Sequence, residues 1–89
     1  MIKTDTLIIN KLGLHARAAS KLVNTAVLFE SDIRIGRAQQ MADAKSIMSV
    51  MILAASQGTS LQLEVEGKDE ELACAAVLDI INRRFEEDE

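Results

Sequence analysis

Eighty-nine residues are enough for one buried core and too few for a second. One cysteine and one histidine exclude an intrachain disulfide and a Cys/His metal site. A net charge of −4 and only two aromatic residues argue against nucleic-acid binding, and the longest apolar run, Val50 to Ala55, is too short to span a bilayer.

The start, Met1-Ile2-Lys3-Thr4-Asp5, lacks the pattern of a signal peptide, so the expectation is a cytoplasmic single domain over residues 1–89. Ile2 to Ile9 reads as a first strand with both faces partly covered, because Leu7, Ile8 and Ile9 break the alternation. Asn10 to Gly13 is a turn, with Gly13 at the positive-φ position. From Ala16 the period becomes helical. Ala19, Leu22, Val23, Ala26 and Val27 form one apolar stripe, and the helix is expected to end near Phe29.

Asp32 to Ile35 alternates as a strand, Gly36-Arg37 reads as a turn, and Gln39 to Ala42 as a short strand. Ser46 to Ala55 reads as a helix stopped by Gly58. Leu61 to Glu66 is the cleanest alternating strand, ended by Gly67. Asp69 is the expected N-cap of a last helix, with Ala73, Ala76, Val77, Ile80 and Ile81 on its buried stripe and Arg83 and Arg84 in its last turn. Cys74 lies beside that stripe and reads as a small buried hydrophobe. The order β-α-β-β-α-β-α implies an α+β fold, one antiparallel sheet with helices on one face.

Charge is uneven along the chain. Residues 1–45 hold seven Lys/Arg and four Asp/Glu, and residues 46–89 three and ten. The basic half can steer an acidic partner. The acidic tail, residues 86–89, reads as frayed and solvated.

His15 stands between the Gly13 turn and the first turn of the first helix. Amides at a helix start lack intrahelical acceptors and, with the dipole, favour an anion. Arg17 adds a guanidinium suited to phosphate oxygens. An imidazole beside free amides and an Arg suits a nucleophile that receives a phosphoryl group. The plain alternative is that His15 only caps the helix. Lys21 and Lys45 read either as a supplementary basic rim or as ordinary solvated lysines.

Gly13-Leu14-His15-Ala16-Arg17, followed by Ala18-Ala19, resembles the active-site motif of the HPr family, the histidine phosphocarriers of the bacterial phosphoenolpyruvate-dependent phosphotransferase system. Lys45-Ser46-Ile47-Met48, thirty-one residues past His15, resembles the family's regulatory-serine segment, and Gln57-Gly58-Thr59 a third family feature. The resemblance covers roughly Thr6 to Phe85. It implies an open-faced β-sandwich, four antiparallel strands with three helices on one face. It implies that His15 accepts phosphoryl on Nδ1 from enzyme I and passes it to an EIIA-type domain, with Arg17 stabilising the group in transit. The chain would then be a carrier, monomeric and without a cofactor, and not itself an enzyme. Ala18 stands where the family often has Pro; both suit a first helical turn, and Ala supplies an extra N–H.

Ser46 has two compatible readings, a helix N-cap and a regulatory phosphorylation site. The resemblance assigns the second to an HPr kinase/phosphorylase. The helix after it is apolar almost all round, so part of it is expected to be exposed. Ile47, Met48 and Met51 are assigned to partner docking, and Val50, Leu53 and Ala54 to the core. Two other classes share some of these features. One is a regulatory module, in the nitrogen-related or catabolite branch, acting through the phosphorylation state of Ser46 and His15. The presence of His15 weighs against a purely Ser46-driven form. The other is an acyl carrier protein, which is all-helical with its serine in an Asp-Ser-Leu setting. The alternating strands and Lys45-Ser46-Ile47 disfavour it.

Overall fold

The computed structural model describes residues 1–88. Strands β1 (Ile2–Leu7), β2 (Asp32–Arg37), β3 (Gln40–Asp43) and β4 (Ser60–Glu66) form one antiparallel sheet in the order β1-β4-β2-β3. Helices α1 (Ala16–Ala26), α2 (Ile47–Ile52) and α3 (Glu70–Asn82) complete the order β-α-β-β-α-β-α expected from the periodicities, followed by a short 3-10 turn, Arg84–Glu86. No helix among the described residues is long and apolar enough to cross a membrane.

The alternation in β4 explains its central place. Leu61, Leu63 and Val65 point into the core, and their neighbours face out. Ile33 and Ile35 of β2 join them, as do Ala19 and Leu22 of α1 and Val77 and Ile81 of α3. Cys74 is buried, and that burial pushes its thiol pKa up. It behaves as a small hydrophobe.

Several expectations need correction. β1 stops at Leu7 and has one covered face, because Leu7 points outward and is half exposed. Ile8 is buried just beyond it, held by backbone bonds to Gly58 and Thr59. Helix α1 ends at Ala26, which leaves Val27 outside the buried stripe and exposed. Gly36-Arg37 is strand rather than turn; Gly36 pairs with Met41 and Gln62. A Cβ on Gly36 would meet the Gln40 carbonyl oxygen at 2.1 Å, so glycine is required by close approach of β3 and not by a turn. Helix α2 is shorter than Ser46 to Ala55. It ends at Ile52, and Ala54 turns to φ 49°. That reversal exposes Ala54, assigned to the core, and buries Ala55 instead. Arg83 caps α3 and Arg84 lies past it, so neither is in the last helical turn.

Asp69 stands at the N-cap position of α3, but its side chain makes no capping bond. Its carboxylate instead accepts from the backbone N–H of Glu30 at 2.9 Å, the N–H of Ser31 at 3.0 Å and the Ser31 hydroxyl. It thereby ties the α1–β2 connection to the start of α3. These bonds, led by that from the Ser31 hydroxyl, hold the Asp69 pKa below its ordinary 3.8. A depressed carboxylate stabilises the fold above its unfolded pKa, and that stability is lost as pH falls through the folded value. The Asp69→Asn variant is therefore expected to lose stability at neutral pH and to show a shallower decline below pH ~4. Urea midpoints at neutral and acid pH test this; parallel acid limbs in the two proteins would refute it.

Candidate functional site

The loop before α1 is built on a buried side chain. Asn10 is fully buried, and its Nδ2 donates to the Gly13 carbonyl at 2.8 Å. Gly13 closes the turn at φ 68°, and a Cβ there would lie 2.5 Å from the Ala55 carbonyl oxygen. Only glycine accepts both conditions. Leu14 N–H then donates to that carbonyl at 2.8 Å and anchors the loop beside the end of α2.

His15 follows as the N-cap of α1, in extended conformation. Its Nδ1 accepts from the Arg17 backbone N–H at 3.3 Å, so the capping expectation holds as well. On the other side of the ring, Nε2 meets a carboxylate oxygen of Glu87. An ionised carboxylate only accepts, so this pairing puts the proton on Nε2 and leaves the lone pair on Nδ1. The ring is partly open to solvent, and Arg17 is exposed beside it.

The Glu87 contact overturns the expectation of a frayed tail for residues 86 and 87. Glu87 also accepts from Asn10 Nδ2 at 2.9 Å, Glu86 pairs with Lys21 at 2.7 Å, and Phe85 is fully buried. Burial works to raise the Glu87 pKa, but the hydrogen bonds from Asn10 and His15 outweigh it, and the group titrates below the usual glutamate value. An open cleft of about 530 Å³ is lined by the basic residues Lys11, Arg17 and Lys21 and by Glu86 to Asp88. The acidic character of the tail pointed to solvent. Phe85, a large apolar residue among charges, was the available signal that this end is anchored.

Lys21 therefore belongs to the site's rim, already paired with Glu86. Lys45 does not, since its ammonium donates to the Phe29 carbonyl at 2.8 Å. Ser46 caps α2, accepting from Ser49 N–H at 3.4 Å, and is half-buried. Val50 on α2 and Leu53 at its C-cap are buried, whereas Ile47, Met48 and Met51 are exposed together with Ile52. Leu12, also exposed, lies in the loop before His15.

Fold and geometry together define a small α+β protein that offers one imidazole, with its Nδ1 lone pair directed at a helix start. The family model described as "PTS HPr component phosphorylation site" matches residues 2–83. The phosphocarrier protein HPr of Cupriavidus necator is 51% identical over 89 residues, covering all of both chains. That of Pseudomonas aeruginosa is 52% identical over 86 residues, 96% of each chain. The crystal structure of HPr-C-His from Thermoanaerobacter tengcongensis superposes with a TM-score of 0.94 at 43% identity, covering 100% of both chains. The chain belongs to the HPr family of phosphocarrier proteins.

Proposed function

We propose that the chain carries a phosphoryl group on His15 Nδ1, taken from phospho-enzyme I and delivered to an EIIA-type domain. The observation that carries this is the directed lone pair. Nε2 is committed to Glu87, and Nδ1 faces the Arg17 N–H at the start of α1. In the accepting step Nδ1 attacks phosphorus. The bond from phosphorus to the donor's ring nitrogen breaks, and its electron pair stays on the donor. The Arg17 N–H is then free to turn to a phosphoryl oxygen, and its guanidinium neutralises the developing charge.

The protein works as a monomeric carrier in the cytoplasm, and its partners complete the chemistry. They dock on the exposed face of α2, through Ile47, Met48 and Met51. The Leu14–Ala55 bond supports that placement by tying the end of α2 to the His15 loop. Ser46 is the second modified residue, for an HPr kinase/phosphorylase. A phosphate there adds charge to the docking face and weakens acceptance at His15.

Intact mass after incubation with phosphoenolpyruvate, Mg²⁺ and enzyme I tests the carrier reading. One acid-labile phosphate is expected. With ATP and HPr kinase/phosphorylase, one acid-stable phosphate is expected on Ser46. Labelling by the kinase alone would move the assignment to a regulatory module.

A further inference from the structure

Glu87 lies beyond residues 2–83, the span that carries the family match. The chain reaches it through an unusual turn. Arg84, Phe85 and Glu86 take φ values of 58°, 53° and 64°, three successive non-glycine residues in the left-handed region. Left-handed backbone is strained for residues with a side chain, and such strain persists only where surrounding contacts over-determine it. Three contacts do so here: Phe85 sinks into the core, Glu86 binds Lys21, and Glu87 closes on His15.

Asn10 gives the carboxylate its orientation. Both Nδ2 hydrogens are used, on the Gly13 carbonyl and on Glu87 Oε1, so a flipped amide would face two acceptors with an oxygen. Asn10 Oδ1 is left buried without a partner. The amide thus keeps this orientation although its own acceptor goes unsatisfied.

We propose that Glu87 is a positioning residue for phosphoryl transfer, holding His15 as the Nε2–H tautomer and balancing the charge the ring gains. This rests on His15 being the acceptor. When Nδ1 forms its bond to phosphorus, the donor keeps the electron pair of the broken bond, and the ring, still bearing Nε2–H, becomes a cation. Glu87 is already ionised against Nε2, so no proton moves and no solvent need reorganise. On delivery the N–P electron pair returns to Nδ1 and the ring is neutral again. The carboxylate of a Ser-His-Asp triad acts on its imidazole in the same way.

The expected ordering of two variants is specific to this role. In Glu87→Gln the side chain has one oxygen, which Asn10 Nδ2 claims. The amide nitrogen then faces His15 Nε2 and requires a lone pair there, which drives the proton to Nδ1 and blocks the nucleophile. In Glu87→Ala the ring is released and samples both tautomers. Ring ¹⁵N spectra of the unphosphorylated protein at about pH 9, where imidazole is neutral, read this with no phosphoryl donor present. Wild type should show the Nε2–H form, Glu87→Ala a mixture, and Glu87→Gln a shift towards Nδ1–H. Single-turnover acceptance from phospho-enzyme I should fall roughly tenfold for Glu87→Ala, the order of one charge-assisted hydrogen bond, and further for Glu87→Gln. A wild-type spectrum of mixed tautomers, unchanged spectra in the variants, or a Gln variant faster than the Ala variant would each overturn the proposal. Normal spectra with no phosphate accepted by wild type would instead overturn the acceptor reading, and this proposal with it.

Discussion

His15→Ala should accept no phosphate from enzyme I, and Arg17→Ala should accept it roughly 10²–10³-fold more slowly, the usual cost of removing one preorganised donor from a developing anion. The two differ in kind. On the proposed mechanism His15 supplies the electron pair that forms the new bond, and the chain has no other imidazole to take its place. The nearest hydroxyl in sequence, Ser20, sits a full turn along α1, away from the helix start. Arg17 contributes twice. Its backbone N–H meets Nδ1, and its guanidinium lies at the exposed edge of the site. The Ala variant keeps the N–H and loses only the guanidinium, so transfer is slowed and not abolished. Arg17→Lys should recover part of the rate, because an ammonium keeps the charge but not the planar pair of donors. Quenched-flow transfer from phospho-enzyme I distinguishes these variants. Residual acid-labile label on His15→Ala would place the acceptor elsewhere.

What the residues disclosed locally and what they concealed divide along a physical line. The strand β4, the stripes of α1 and α3, the Gly13 turn and the caps at His15 and Ser46 depend on neighbours within a few positions, and periodicity reports those. Gly36 was misplaced because a glycine demanded by inter-strand closeness looks, in sequence, like one demanded by a turn. Ala54 was misplaced because a single positive-φ residue after α2 shifts the register of everything behind it, and no glycine marks the spot. Glu87 was missed for a different reason. It meets His15 across 72 positions of chain, through three left-handed residues that none of the local propensities favour. Half of the site, His15 with Arg17, was visible at the helix start. The other half, Asn10 with Glu87, exists only once the core has brought the two ends of the chain together.

That closure depends on Phe85, and removing the ring should cost about 3 kcal/mol, the low end for a buried aromatic. A midpoint drop on the order of 10 °C or more follows for a chain of this size. The low end is expected because Phe85 is held in a strained turn whose strain is released when the ring is lost. Once the ring is gone, only the polar contacts of Glu86 and Glu87 oppose the strain of the left-handed backbone at Arg84, Phe85 and Glu86, and the turn relaxes. The strain is then recovered, and water enters the space left between α1 and α3. Removing everything after Arg84 should destabilise the protein by nearly the same amount as Phe85→Ala, since both end in an open core and a relaxed turn. Phe85→Gly should unfold at or below Phe85→Ala, because glycine's freedom from the left-handed penalty counts only in a turn that persists. A Phe85→Gly midpoint above that of Phe85→Ala would show that the turn persists without the ring. Thermal unfolding of the three variants separates these outcomes. An unchanged midpoint for Phe85→Ala would show that the tail is not held by the core. In that event the His15–Glu87 pairing would have to survive on Asn10 and Lys21 alone, and the ring ¹⁵N spectrum of the same variant would show whether it does.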